Sequence, residues 1–253
     1  MYRFLFVLSL MLTATVQAAE LRVAVAANFQ GTLEQLAPVY QKRSGHTLLI
    51  SSASTGSLFA QIQNGAPFDV FLSADSRRPQ ALIEDNLALP ESAFTYARGV
   101  LVLWSADPNR VRGDGTTLSQ MDYQYLALAN PRTAPYGRAA QQILEGMDLW
   151  GTLEKEQRLL IGQSVSQTYS QVASGAAPLG FLALSQIRHP DIKGQGSWWI
   201  PPEESYDPII QQAVILRSAV DPEQARQFMA FLRSPEAAGI IRAAGYTPWG
   251  ANP

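Results

Sequence analysis

Apolar residues along this chain come in two rhythms, short continuous runs and a stripe repeating every three or four positions, and the two alternate from one end to the other. Leu21-Arg22-Val23-Ala24-Val25-Ala26 is β-rich, and Leu33, Leu36, Ala37 and Tyr40 then fall on one helical face. Pro38 interrupts that helix and predicts a kink, while Gly45 is a natural stop. Thr47–Ser52 reads as a second strand, Ser57–Asn64 as a short helix closed by Gly65, and Asp69–Ser73 as a third strand. Gly99–Trp104 is a longer strand, followed by Tyr125–Ala129 and a helix carrying Ala140, Ile143, Leu144 and Met147 on one side. Leu159–Ile161 is a short strand before a stripe of Val165, Tyr169, Val172 and Ala173, and Leu179–Leu184 and Ile210–Leu216 are buried strands. Asp221-Pro222 and Ser234-Pro235 each pair a capping side chain with a proline at the first helical position, so they open two final helices.

Strand–helix alternation of this kind predicts an α/β fold with parallel pairing and helices packed on the sheets. The length of 253 residues is generous for one doubly wound sheet with so few strands, which favours two small lobes. No flexible linker separates them, so extended strands are expected to cross between lobes, with Gly99–Trp104 and Ile210–Leu216 as the candidates. The division expected is 19–97 with 210–253 as one lobe and 98–209 as the other. Residues 1–18 stand apart: Arg3, the apolar run Phe4–Leu12 and a small-residue end at Ala18 read as an export signal cleaved after Ala18. That run is too short for a membrane span, and no later segment is apolar for long enough, so a freely diffusing exported protein is expected.

Composition then removes whole classes of chemistry. With 0 Cys there is no disulfide framework, zinc–thiolate site, iron–sulfur cluster or thiol nucleophile. His46 and His189 are the 2 histidines, too far apart for a multi-histidine metal motif. A net charge of -2 gives no basic excess for nucleic acid or anionic lipid. No G-x-S-x-G elbow is present to activate a serine, and neither histidine lies in a turn where it would serve as base, so no enzyme is expected.

What remains is the set of turns at the carboxyl ends of strands, where open α/β sheets bind ligands. Four are short, polar and free of acidic residues: Ala26–Phe29, Ser51–Ser57, Asn130–Gly137 and Gly162–Ser166. Each leads into a helix whose first N–H groups lack intrahelical partners and carry the positive end of the helix dipole. An anion is held by such groups without any cation, and the missing carboxylates favour a fully deprotonated oxyanion over a protonated one. The competing reading is that Asn28, Ser54, Thr55 and Ser166 are ordinary helix caps. Asp69 and Asp75 are expected to brace turns, Arg132 to be a solvated loop residue, and Trp198-Trp199 to pack at a lobe edge.

The segments Ala26-Ala27-Asn28, Ser54-Thr55-Gly56-Ser57-Leu58, Asn64-Gly65-Ala66-Pro67, Asp69-Val70-Phe71-Leu72-Ser73-Ala74-Asp75 and Ala177-Pro178-Leu179-Gly180 together resemble the periplasmic molybdate-binding proteins of bacterial ABC importers. The resemblance implies a two-lobed periplasmic binding protein fold of type II, each lobe a small mostly parallel sheet flanked by helices, joined by two strand crossovers. It implies a tetrahedral oxyanion, molybdate and with it tungstate, held in the cleft by hydrogen bonds alone, with no cofactor and with molybdenum present only inside the anion. Sulfate, thiosulfate or another small oxyanion is the alternative cargo. By position the resemblance assigns the anion to Asn28, Thr55, Tyr136 and Val165, the last through its backbone N–H. Where some members of that family carry a ligating Tyr this chain has Ala183, and the Tyr136 hydroxyl is the expected substitute. The partners implied are a membrane permease and its cytoplasmic ATPase, and the protein is expected to be a periplasmic monomer that neither enters membranes nor binds nucleic acid.

Overall fold

The structure, a computed structural model, describes residues 20–192 and 195–248; the predicted export signal at 1–18 lies outside them. The chain begins β1 (Glu20–Ala26), α1 (Gln30–Ser44), β2 (Thr47–Ala53), α2 (Thr55–Gln63), β3 (Val70–Ser73), α3 (Arg77–Glu84) and β4 (Phe94–Gly99). It continues with β5 (Leu101–Ser105), α4 (Thr116–Gln120), β6 (Leu126–Ala129), α5 (Pro135–Gly146), α6 (Trp150–Lys155), β7 (Leu159–Gly162) and α7 (Val165–Ala173). Last come β8 (Leu179–Ala183), α8 (Leu184–Ile187), β9 (Ser197–Trp199), β10 (Ile209–Ile215), α9 (Pro222–Leu232), α10 (Pro235–Ala243) and β11 (Thr247–Pro248).

Among the described residues the strands form two sheets, six-stranded in the order β11-β4-β10-β3-β1-β2 and five-stranded in the order β7-β6-β8-β5-β9. Each sheet is mixed in a meaningful way. Strands β1, β2 and β3, and in the second sheet β6, β7 and β8, pair in parallel because helices return the chain to the same edge. Antiparallel pairing enters with the strands next to the crossings, β4 and β10 in one sheet and β5 and β9 in the other. The run Gly99–Trp104, expected as one strand crossing between the lobes, does cross, but as two strands: β4 ends at Gly99 in the first sheet and β5 starts at Leu101 in the second, with Val100 between. Ile210–Leu216, the other candidate, stays with the first sheet. The return crossing occupies 200–208, and it is tied to the first by the Leu101 N–H donating to Tyr206 Oη at 3.3 Å and by Arg98 pairing with Glu203 at 2.9 Å.

Each sheet has its own core. Phe29 at the N-cap of α1, with Leu33, Leu36 and Tyr40 inside it, packs with Phe228 and Phe231 of α9 over one face of the first sheet, and Leu58, Phe71 and Leu82 cover its other face. Leu126, Leu128, Ile143, Leu144 and Phe181 fill the centre of the second. Helix α1 runs through Pro38, which lies on its exposed side where a missing N–H faces water. Among the described residues no helix is long and apolar enough to cross a membrane.

Two aspartates do what their place in the sequence suggested. Asp69 Oδ2 accepts from the Arg22 backbone N–H (2.7 Å) and Nε (3.0 Å), while Oδ1 accepts from Arg22 Nη2 (2.6 Å) and the Val220 N–H (3.0 Å). Burial opposes its charge, yet these donors together hold the carboxyl below its ordinary range. Asp75 accepts from the Arg78 N–H at the start of α3 and forms an ion pair with the Arg78 guanidinium.

Candidate functional site

The four polar turns follow β1, β2, β6 and β7, so each sheet contributes the carboxyl ends of two adjacent parallel strands. The structure brings the four together. Asn28, Thr55, Tyr136 and Val165 line one small hollow with Ala26, Ala27, Ser54, Ala74, Ala134 and Pro135. None of these lining residues is charged. The first turns of α1, α2, α5 and α7 likewise carry no acidic residue, so nothing there opposes an anion at the helix starts.

Each site residue sits where backbone donors are unspent. Thr55 and Val165 are the first residues of α2 and α7, and Tyr136 the second of α5. The first intrahelical bonds in these helices come later, from Leu58 to Ser54, Arg138 to Ala134 and Thr168 to Ser164. The N–H groups of Thr55, Tyr136 and Val165 therefore belong to the unpaired first turn. The capping roles fall elsewhere: Ser54 Oγ accepts from the Ser57 N–H and Ser164 Oγ from the Gln167 N–H, both at 3.3 Å. Thr55 Oγ1 accepts from the Ala74 N–H at 3.2 Å, which leaves its own proton to point elsewhere.

The Asn28 side chain is engaged away from the helix starts. Its Nδ2 donates to Gln211 Oε1 at 2.8 Å and to Tyr246 Oη at 3.0 Å, which uses both amide protons. The Asn28 carbonyl accepts from Tyr246 Oη (2.6 Å) and Ser185 Oγ (2.9 Å). What this turn offers to the hollow is its backbone.

Behind the hollow lies a buried polar cluster that sequence reasoning missed. Gln211, fully buried beside Gln212 in β10, is its centre. Its Oε1 lies 3.0 Å from Tyr96 Oη, and its Nε2 donates to Tyr136 Oη at 3.3 Å. The last contact explains Gly99, where any Cβ would collide with the Tyr136 hydroxyl. Phe29 stacks edge-on against Tyr96 (4.7 Å) and Tyr246 (5.3 Å) and fixes the turn from its apolar side. Burial raises the phenols: Tyr246 is pushed up to about 12, and Tyr96 and Tyr136 stand well above their ordinary value. The hydroxyls thus stay protonated and neutral at physiological pH. The pair Gln211-Gln212 inside an apolar run was the available signal, but it does not say what either side chain faces.

Several hydrogen bonds join elements of one sheet to those of the other around the hollow. The Gly56 N–H donates to Thr133 O at 2.8 Å, Arg78 Nη2 to Arg132 O at 3.1 Å, and Ser185 Oγ reaches the Asn28 carbonyl as above. The two sets of helix starts face each other at bonding distance, so a small guest between them meets donors from both sides.

Residues 21–247 match the family model described as bacterial extracellular solute-binding protein. The chain is 43% identical over 229 residues to the molybdate-binding protein ModA of Rhodobacter capsulatus, covering 90% of this chain and 88% of that one. It is 43% identical over 236 residues to ModA of Azotobacter vinelandii, covering 93% of each. The solved structure of the Azotobacter vinelandii periplasmic molybdate-binding protein superposes with a TM-score of 0.87 at 49% identity, over 89% of this chain and 98% of that one. On its fold, its uncharged hollow between two sheets and these likenesses, the chain belongs to the bacterial extracellular solute-binding proteins, within the group of the molybdate-binding proteins.

Proposed function

We propose that this protein captures molybdate, and tungstate with it, in the periplasm and delivers it to the permease of an ABC importer driven by a cytoplasmic ATPase. The observation that carries the reading is the uncharged hollow at four helix starts, two from each sheet. A tetrahedral dianion has four oxygens, each accepting more than one hydrogen bond, and unpaired N–H groups with hydroxyls meet that demand without a counter-cation. The donors assigned are the backbone at Asn28, the N–H and hydroxyl of Thr55, the N–H and hydroxyl of Tyr136 and the N–H of Val165. Charge-assisted bonds of this kind contribute about 1.5–3 kcal/mol each in a dry site. Discrimination against sulfate is then a matter of size, since a hollow set for the larger anion stretches every bond to the smaller.

In this reading the two sheets move as lobes, 19–97 with 210–253 against 98–209, and closure over the anion forms the surface that the permease recognises. The protein works as an exported monomer after loss of residues 1–18, without cofactor, turnover, nucleic acid or membrane insertion. The chemistry supports binding over catalysis because the lining supplies donors but no general base.

A thermal-shift panel of oxyanions tests the proposal. Molybdate and tungstate are expected to raise the melting temperature strongly, because a ligand that binds only the folded state stabilises it by mass action. An equal rise with sulfate or thiosulfate would make one of those the cargo, and no rise with any oxyanion would overturn the reading.

A further inference from the structure

Beside the hollow, and sharing Ala74, Ala134 and Pro135 with it, lies a much larger cleft of about 580 Å³. Its lining comes from the two sheets' opposing elements, α3 on one side and the turn into α5 on the other, joined by Asp207 and Pro208 of the return crossing and by Ile209 and Ile210 at the start of β10. Four guanidinium groups line it, Arg77, Arg78, Arg132 and Arg138. Arg78 is committed to Asp75 and to Arg132 O. Arg77, Arg132 and Arg138 are exposed, and among the described residues none has an ion-pair partner. Of the two acids in the lining, Asp75 is spent on Arg78, and Asp207 Oδ2 accepts from Gln142 Nε2 at 2.6 Å. Asp207 keeps its charge, so four arginines against two aspartates leave the lining at +2 on a protein of net charge -2, placed against a binding hollow that has no charge of its own.

We propose that this arginine-lined cleft is an outer anion site, the entrance that collects a small inorganic dianion and passes it to the hollow; the inference rests on the oxyanion reading above. Cations in the hollow itself would hold any anion tightly and blur the choice among them. Set one step outside, they raise the local concentration and the rate of capture while leaving the choice to the neutral donors. Positive charge in a concave, low-dielectric mouth raises association rates by about 10- to 1,000-fold, an effect that fades as the Debye length shrinks from about 30 Å at 0.01 M salt to about 8 Å at 0.15 M.

The test is stopped-flow fluorescence with molybdate at several ionic strengths. Three double variants are compared with the parent: Arg132→Gln/Arg138→Gln, the charge-preserving Arg132→Lys/Arg138→Lys, and Lys42→Gln/Arg43→Gln. The last removes the same charge at the C-terminal end of α1, away from the strand-to-helix turns. The expected result for the first variant is an association rate lowered about tenfold at low salt, with a flattened salt dependence and an unchanged dissociation rate. The lysine variant should keep the parent's rate and the control should match it. An unchanged association rate in the glutamine variant overturns the entrance, as does an equal loss in the control or a loss confined to dissociation. If the parent binds no oxyanion, the functional reading falls and this inference with it; if the parent binds and the variant associates as fast, only the entrance falls.

Discussion

The hydroxyl of Tyr246 donates to the backbone carbonyl of Asn28 at 2.6 Å, and Asn28 Nδ2 returns a bond to the same hydroxyl at 3.0 Å. Residues 218 positions apart are thus clasped reciprocally, and the turn after β1 is held by the end of the chain. Ser185, in α8 directly after β8 of the other sheet, lies 2.8 Å from the same hydroxyl. The clasp makes Tyr246 a positioning residue for the Asn28 turn, with no place in the lining itself.

Tyr246→Phe keeps the ring packing on Phe29 and removes the clasp. Ser185 still donates to the Asn28 carbonyl, but one buried Asn28 Nδ2 proton loses its acceptor, so the loss in stability should be about 1–3 kcal/mol. Molybdate affinity should fall several-fold, measured by calorimetry, because the turn is no longer pinned. Affinity equal to the parent's would show that Ser185 and Gln211 position the turn unaided.

Tyr136→Phe asks whether the phenol is a donor to the anion. Its oxygen accepts from Gln211 Nε2 and its hydroxyl neighbours that of Tyr246, so a bond to the anion would have to draw the phenol proton away from Tyr246; Ala183 offers no hydroxyl at the neighbouring strand end. Loss of one charge-assisted bond of about 1.5–3 kcal/mol corresponds to roughly 10- to 100-fold in affinity. Unchanged affinity would leave the Tyr136 contribution to its backbone N–H.

Gly56→Ala tests the contact across the hollow. A Cβ there would meet the Thr133 carbonyl oxygen, Thr133 Cα and Arg78 Nη2, each at 3.0 Å. Two of the three are backbone and cannot swing aside, so the sheets are expected to part by a few tenths of an ångström. Binding should weaken about tenfold as donors on the two sides lose their common focus, while melting without ligand stays near the parent value. A parent-like affinity would mean that the Gly56–Thr133 approach is incidental to binding.

The buried phenols predict the response to alkali. Burial lifts Tyr246 from its ordinary 10.0 to about 12, so the unfolded chain gives up this proton first. The stabilisation is intact below pH 10.0 and is lost as pH rises towards about 12. In that window each such tyrosine should lower the unfolding free energy by about 1.4 kcal/mol per pH unit. Urea unfolding at stepped pH should show a flat midpoint up to that onset and a steep fall beyond it, with a shallower fall in Tyr246→Phe. An equal slope in both would assign the alkaline loss to other groups.

The elements legible in the sequence were those whose environment is uniform. Val70–Ser73 and Leu126–Ala129 are buried on both faces and read as apolar runs, and α9 and α10 were announced by Asp221-Pro222 and Ser234-Pro235 at their starts. Strand β4 was hidden because Phe94-Thr95-Tyr96-Ala97-Arg98-Gly99 mixes polar and apolar residues at a sheet interior that is only half covered. Helix α3 was hidden because it opens Arg77-Arg78-Pro79, whose charges serve the cleft and the Asp75 pair. The four turns of the candidate site could be located because strand ends and helix starts announce themselves locally. Gln211, Tyr246 and Ser185 could not, since a long-range hydrogen bond leaves no periodic trace. The single strand read at Gly99–Trp104 followed from unbroken β-propensity, which does not register a change of sheet.

That change of sheet across Val100 limits how the molecule can move. With one residue between two paired strands, and the longer return passage at 200–208 bonded to it through Tyr206, the first crossing leaves few soft torsions between one half and the other. Swinging shut around a guest then freezes almost no backbone disorder, at about 1–2 kcal/mol per residue ordered. Most of the attraction between cargo and donors is left to appear as affinity, and the same stiffness makes the path of approach repeatable from one capture to the next.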